Sequence, residues 1–470
     1  MSKRPNLLYI FADQWRRQAV GFRSEEPVMT PHIDAFAKEG LVFNQALSCT
    51  PLCSPHRASL MTGKYPQSHG VYTNCKLGAD VMLRPDEICI GDVLKAAGYR
   101  TGYIGKWHLD LPEENVAERP VSGAREWDAY TPPGPKRHGF DFWHSYGAYD
   151  HHLEPHYWRD SPRMIEVKQW SVEHETDVAL DFLQRSADDE RPFALFVSWN
   201  PPHSPFELVP DKYKQLYASC ELQLRPNVQA GELNVHTGEK VAGGKERLEQ
   251  YMRDYYAAIS GLDEQFGRLM AALREHGFEQ DTVVVLSADH GELMGAHGLM
   301  AKHAWYEESV GIPCLMRWPG HIPRGETELL FNSVDIMPTL LGLLQLPIPE
   351  QVEGSDYSAA VRGEEGAAGA AAAFLAAFPG RKEVIEAFSS RGLDNRAYGW
   401  RAIRTANHTY VIHRGYAPEE PVQRLLYDLR ADPFQLQPAH LASADEHEEA
   451  MRLEQELKQW LQRMGDAFLF

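Results

Sequence analysis

The chain begins with a near-continuous apolar run, Asn6 to Ala12, that stops at Asp13-Gln14. An apolar run of strand length without polar alternation predicts a central strand buried on both faces. The pattern returns at Phe193–Trp199, before Asn200-Pro201-Pro202-His203, and at Thr282–Ser287, before Ala288-Asp289-His290-Gly291. Arg100–Ile104 is strand-like before Gly105-Lys106-Trp107-His108, and Leu41–Leu47 leads into the turn at Cys53. Helical spacing and glycine stops predict helices over Pro31–Gly40, Gly91–Gly98, Asp177–Ser186, Lys245–His276 and Asp335–Leu344. Strands alternating with helices imply a mainly parallel, doubly wound α/β sheet.

Between these elements the periodicity lapses. Leu111 to Asp160 is rich in Pro, Gly, His and aromatic residues and reads as a long loop insertion over a site. Residues 220–245 are polar and irregular, a second candidate lid. The Ala- and Gly-rich stretch Gly363–Pro379 reads as a helix or a linker, so a boundary is placed there. The expected division is a catalytic domain over 1–362, a boundary segment over 363–380 and a small C-terminal domain over 381–470. The last of these carries strand candidates at Lys382–Ile385, Ala402–Arg404, Thr409–Ile412 and Leu425–Leu429, with a closing helix from a Ser443 cap to Met464.

At 470 residues the chain can bury a deep site, and 43% hydrophobic with 24% charged residues is an ordinary globular balance. The net charge of −19 argues against nucleic acid or an anionic membrane as general partner. An anionic substrate would need locally placed cations. There is no signal-peptide pattern at the N-terminus and no apolar run long enough for a transmembrane helix. Six cysteines without a CxxC pair support neither a disulfide scaffold nor a zinc knuckle, and a reduced, cytoplasmic setting is expected.

The chemistry collects at strand ends. Cys53 lies where loop becomes helix, with Pro55 and Arg57 following, and the free N–H groups there favour a nucleophile or an anionic substrate. Asp13-Gln14, Lys106 with His108, His203, and Asp289-His290 followed by Lys302 occupy comparable positions. In a parallel sheet the carboxyl ends of the strands share one edge, so these segments can converge. Asp13, Gln14, Asp289 and His290 form a mostly oxygen ligand set, better suited to calcium, magnesium or manganese than to zinc. Arg57, Lys106 and Lys302 would supply the local positive charge.

Cys53-Ser54-Pro55-His56-Arg57 with Leu60-Met61-Thr62-Gly63 resembles the C-x-P-x-R signature of the sulfatase family, and Gly105-Lys106-Trp107-His108 resembles its second signature. The resemblance continues in family order through Pro202-His203, Ser287–Gly291, Lys302–Pro313, Val334–Thr339 and Leu426–Leu429. It implies an alkaline phosphatase-like fold: a large mixed, mainly parallel sheet sandwiched by helices, with a smaller C-terminal α+β domain. It also implies a type I sulfuric ester hydrolase in which Cys53 is oxidised to formylglycine by a formylglycine-forming enzyme. The hydrated aldehyde would bind one divalent metal and attack sulfur, and loss of the second hydroxyl's proton would expel sulfate.

By the same resemblance Asp13, Gln14, residue 53, Asp289 and His290 hold the metal, and Arg57 and Lys106 hold the oxygens of the hydrate and sulfate. His108 lies near the second hydroxyl, and His203 or Lys302 serves the leaving group. Calcium is the first expectation, with manganese or magnesium as alternatives, because Gln14 and His290 stand where many members have Asp and Asn. Those two positions also resemble phosphonate monoester and phosphodiester hydrolases, the alternative activity. A non-catalytic anion-binding relative with an unmodified Cys53 is the alternative of another class. The expected substrate is a small carbohydrate, aryl or alkyl sulfate; the oligomeric state stays open.

Overall fold

A computed structural model describes residues 4–229, 233–234 and 244–468. Eight strands form the main sheet: β1 (Asn6–Asp13), β2 (Leu41–Leu47), β3 (Arg100–Lys106), β4 (Phe142–Tyr146), β5 (Phe193–Pro202), β6 (Thr282–Ala288), β7 (Cys314–Arg317) and β8 (Gly325–Asn332). Their order is β8-β2-β7-β6-β1-β5-β3-β4. All neighbours run parallel except β7, which is antiparallel to both β2 and β6. β1 lies in the middle, and Leu7, Leu8, Ile10 and Phe11 are fully buried, as an unalternated apolar run requires. Each such side chain contributes about 1.5–3 kcal/mol by leaving water.

Helices Pro31–Glu39 and Ser171–Ser186 pack on the long helix Gly244–Glu275, while Cys53–Thr62 packs on Ser333–Leu343. The second sheet is an antiparallel meander of β9 (Ala372–Ala377), β10 (Trp400–Thr405), β11 (His408–His413), β12 (Gln423–Asp428) and β13 (Ala439–Leu441). Alternation along β10 and β11 splits its two faces. Ile403, Tyr410 and Ile412 meet Leu453, Leu457 and Trp460 of the helix Glu448–Arg463. Trp400, Ala402 and Val411 meet Leu47, Val310 and Leu330 of the larger unit. The Trp400 indole also donates to His303 O at 3.1 Å, tying this sheet to the residue after Lys302.

Several local expectations change. The Ala-rich stretch carries β9, because Ala and Phe374 alternate toward a neighbouring sheet, so the second sheet begins before residue 381. Lys382–Ile385 belongs instead to an amphipathic helix, Lys382–Ser389. The closing helix starts at Glu448, capped by His447, with a short 3-10 turn after Ser443. The aromatic insertion is not wholly loop: β4 pairs with β3 and forms the sheet's edge. Much of the expected lid at 220–245 lies outside the described residues. Among the described residues no helix is long and apolar enough to cross a membrane.

Candidate active site

Four strand ends and one helix start deliver the reactive groups. Asp13 is the last residue of β1, Lys106 the last of β3, His203 follows β5 and Asp289 follows β6. Cys53 opens the helix Cys53–Thr62, all ten residues of which are buried. That helix start has no cap from Leu52; instead the Asn74 side chain accepts from Ser54 N at 3.0 Å. Gly105 carries a φ of 96°, and a Cβ there would lie 2.1 Å from Ser198 O, so β3 can close on β5 only with glycine before Lys106. Gln14 (φ 65°), His108 (φ 55°), Ala301 (φ 66°) and His303 (φ 80°) also hold left-handed backbone around the site. Such conformations cost energy outside glycine and collect where function fixes a side chain.

The side chains converge on Cys53. Its Sγ lies 3.2 Å from Lys302 Nζ, 3.4 Å from His290 Nε2 and 3.6 Å from Asp13 Oδ1. Arg57 Nη2 is 3.1 Å from both Asp13 Oδ2 and Asp289 Oδ2, and its Nη1 donates to Lys106 O and Ser198 Oγ. Lys106 Nζ reaches Asp13 Oδ2 at 2.8 Å and Asn200 Oδ1 at 3.0 Å. Lys302 Nζ donates to Gln14 Oε1 at 2.7 Å. Three permanent cations, Arg57, Lys106 and Lys302, thus face two carboxylates in a chain whose total charge is −19.

The sequence model of the Sulfatase family matches residues 5–346, and that of the N-sulphoglucosamine sulphohydrolase C-terminal region matches residues 295–465. The endo-4-O-sulfatase of Bacteroides thetaiotaomicron is 36% identical, covering 99% of this chain and 93% of its own. The ulvan-active sulfatase of Formosa agariphila is 35% identical over 99% of this chain and 82% of its own. A solved sulfatase structure from Bacteroides fragilis superposes with a TM-score of 0.85 at 34% identity, covering 98% of this chain and 96% of that one.

The chain belongs to the sulfatase family. It is a sulfuric ester hydrolase with the mixed, mainly parallel sheet and antiparallel C-terminal sheet that the sequence resemblance implied.

In this sulfatase, burial alone would push Asp13 up, but the charges of Lys106, Lys302, His203 and His290 hold it well below the usual carboxylate range. Asp289 moves the other way: burial and the neighbouring Asp13 push it up, against His290 and Arg57. The Cys53 thiol would be raised by burial and by Asp13, yet Lys302, Lys106 and His290 bring it well below the ordinary thiol value.

The donor atoms of Asp13, Cys53, Asp289 and His290 lie within 4.8 Å of one another, all buried. Asp289 Oδ2 has the ion pair with Arg57 Nη2 at 3.1 Å and no other hydrogen-bond partner. Two buried carboxylates and an imidazole fit a hard or borderline divalent cation. Gln14 sits beside them: its N donates to Asp289 Oδ1 at 3.0 Å, while its Nε2 donates to Glu292.

His108 Nε2 meets Cys75 O at 3.1 Å, its Nδ1 has no hydrogen-bond partner, and the ring is within interaction range of Cys53. His203 Nδ1 meets Ser204 O at 2.6 Å with Asp150 Oδ1 at 3.5 Å. Sequence reasoning missed Asn74, Asp150, Ser198, Asn200 and Glu292. Asn200 carried a signal, being polar at the end of an apolar strand. Asp150 did not, since it lies in the aperiodic insertion.

Proposed function

We propose that this sulfatase cleaves the O-sulfate ester of a carbohydrate, using residue 53 after a formylglycine-forming enzyme has oxidised Cys53. The observation that carries this is the placement of Cys53 Sγ at a helix start, among Lys302 Nζ, His290 Nε2 and Asp13 Oδ1. Formylglycine, as its hydrate, supplies the oxygen nucleophile. Asp13, Asp289 and His290, with Gln14 beside them, would hold a divalent cation, calcium or else manganese or magnesium, which supplies positive charge against sulfate and nucleophile.

The chain's own groups take distinct parts. Lys106 and Lys302 neutralise sulfate oxygens in a dry site, where their charge acts at close to full strength. Arg57 is engaged with Asp13, Asp289, Lys106 O and Ser198, so its first task is to hold the two carboxylates apart and in place. His108 gives its Nε2 proton to Cys75 O, which leaves the Nδ1 lone pair as the base that receives a proton from residue 53. Burial lowers the His108 pKa and keeps the imidazole neutral for that step. His203 gives Nδ1–H to Ser204 O and has Asp150 to stabilise its cation, so its Nε2 carries the proton to the leaving oxygen, with Lys302 the other donor in reach of residue 53.

A carbohydrate substrate is supported by relatives named as an endo-4-O-sulfatase and an ulvan-active sulfatase. Parallel rates on an aryl sulfate and a phenylphosphonate ester test the reaction. Faster turnover of the sulfate is expected. A preference for the phosphonate overturns the reading in favour of phosphonate hydrolysis, and no turnover of either by modified protein leaves only an anion-binding relative.

A further inference from the structure

Lys302 lies in a segment that takes no support from regular secondary structure. Residues 302–305 belong to no helix or strand, and the residues on either side of Lys302, Ala301 (φ 66°) and His303 (φ 80°), hold left-handed backbone. Such backbone costs energy outside glycine and persists only where its surroundings fix it. Here the two sides are fixed by different parts of the molecule. On the Ala301 side, Ala301 N donates to Glu292 Oε1 at 2.7 Å and Ala301 O accepts from Leu293 N at 2.7 Å, both partners in the loop that follows β6.

On the His303 side the restraints come from the second sheet. The Trp400 indole donates to His303 O at 3.1 Å, and the Tyr416 hydroxyl lies 3.4 Å from the same oxygen. The His303 ring hydrogen-bonds the backbone of Phe378, the residue after β9. Two residues on, the Trp305 indole donates to the Tyr427 hydroxyl of β12 at 3.1 Å and meets Trp400 edge-on, with centroids 6.0 Å apart. Trp400 is itself firmly seated. It is the fully buried first residue of β10, and Gly399 before it has a φ of 82° and a position where a Cβ would lie 2.2 Å from Ala377 O. Glycine there lets β10 start tightly against β9. A buried indole N–H is costly without its acceptor, so Trp400 in turn fixes where the His303 carbonyl lies.

Between these two abutments Lys302 reaches into the site, with Nζ 2.7 Å from Gln14 Oε1 and 3.2 Å from Cys53 Sγ. Asp13 Oδ1, at 3.8 Å, is a competing partner for the ammonium once its backbone shifts. We propose that Trp400, assisted by Tyr416, is a positioning residue for the sulfate-ester reaction: by holding His303 O it aims Lys302 at residue 53, which makes the C-terminal sheet part of the reacting machinery. The inference rests on the sulfatase reading, in which Lys302 faces the sulfate and the leaving group. Misplacing such a group by about 1 Å lowers rates by up to about a hundredfold, so one hydrogen bond to its backbone is enough to matter.

The test is a double-mutant cycle in the full-length, formylglycine-bearing enzyme, run on a nitrophenyl sulfate, whose leaving group needs least assistance. Trp400→Phe keeps an aromatic ring and removes the N–H. It should lower kcat/KM by about tenfold in the parent background but by less than about twofold in the Lys302→Met background, where the group it aims is gone. Tyr416→Phe should act in the same direction by about threefold. A fall of equal size in both backgrounds marks a general loosening and overturns the proposal, as does a parent-like kcat/KM in folded Trp400→Phe. A second readout needs no turnover: competitive acylation of the lysines, quantified by mass spectrometry. Trp400→Phe and Tyr416→Phe should each raise labelling of Lys302 by about threefold or more, while Lys106, also buried, stays at the parent level. Equal rises at both lysines, or no rise at Lys302, overturn the positioning role. Labelling decides through Tyr416→Phe if Trp400→Phe does not fold, and through both variants if Lys302→Met leaves no rate to compare. A parent enzyme inactive on every sulfate ester, with labelling as expected, condemns the assigned reaction and leaves the hold on Lys302 standing.

Discussion

Two buried ionic clusters lie five positions apart in the sequence, one at Lys302 and one at Glu307, and they are built to opposite ends. At Glu307 the carboxylate is closed. Arg404 Nε takes Oε1 at 3.0 Å, Arg17 Nη2 takes Oε2 at 2.5 Å, and the three residues tie the first loop and the second sheet to the segment between them. At Lys302 the cluster is open: Arg57 Nε and His108 Nδ1 are buried without hydrogen-bond partners, and Asp289 Oδ2 has only its ion pair with Arg57 at 3.1 Å. Both clusters pair their buried charges, but the second also leaves an imidazole nitrogen and a carboxylate edge open toward residue 53, where a ligand would be received. The first cluster holds the architecture together, and the second is held ready by it.

The comparison can be broken at either end. Cys53→Ala should remove sulfatase turnover by about 10,000-fold or more while circular dichroism stays that of the parent, since the nucleophile's carbon framework is gone and little packing is lost. Asp13→Asn should lower kcat/KM by about 1,000-fold and strip bound divalent metal, measured by elemental analysis of the dialysed protein. It also leaves Lys106 and Arg57 facing a neutral amide.

The closed cluster should respond in stability rather than in turnover. Glu307→Gln leaves a buried Arg404 and a half-buried Arg17 without a counter-ion, and the loss should be about 3 kcal/mol, with kcat changed by less than about threefold. The pH dependence follows from the sign of the shift. Burial would raise the Glu307 carboxyl, but Arg404 and Arg17 bring it from 4.5 to about 2. Its contribution is therefore fully present above the unfolded value and is lost as pH falls through the folded one. Urea midpoints should show a constant gap between parent and variant from about pH 5 to 7 that narrows toward about pH 2.

The smallest effect is expected at Glu292. It accepts from Gln14 Nε2, Met294 N and Ala301 N, and so fixes which way the Gln14 amide faces. Glu292→Gln should raise the metal dissociation constant by about tenfold, read by calorimetric titration of the metal-stripped protein.

Much of the main sheet was legible because strands buried on both faces leave unbroken apolar runs, as in Leu7–Phe11 and Val283–Leu286. The candidate site was legible for a related reason: polar residues at or shortly past the end of such a run stand out, as Asp13, Lys106, His203 and Asp289 do. Elements that face another sheet were harder. β9 is Ala-Ala-Phe-Leu-Ala-Ala, a composition with more helical than strand propensity, and only pairing with β10 makes it extended. β4 was hidden because Trp143, His144 and Tyr146 sit in an aromatic insertion without a period of its own. Glu292, Asp150 and Asn74 were invisible as site residues, because each acts on a partner distant in sequence.

The account's central claim is that residue 53 works as formylglycine rather than as a thiol. Protein made with and without a formylglycine-forming enzyme, digested and analysed by mass spectrometry at the peptide ending in Arg57, measures this directly when the same samples are assayed on an aryl sulfate. Turnover should rise in proportion to the fraction of residue 53 found as aldehyde and vanish in its absence. Full turnover by protein whose Cys53 is entirely unmodified would contradict it.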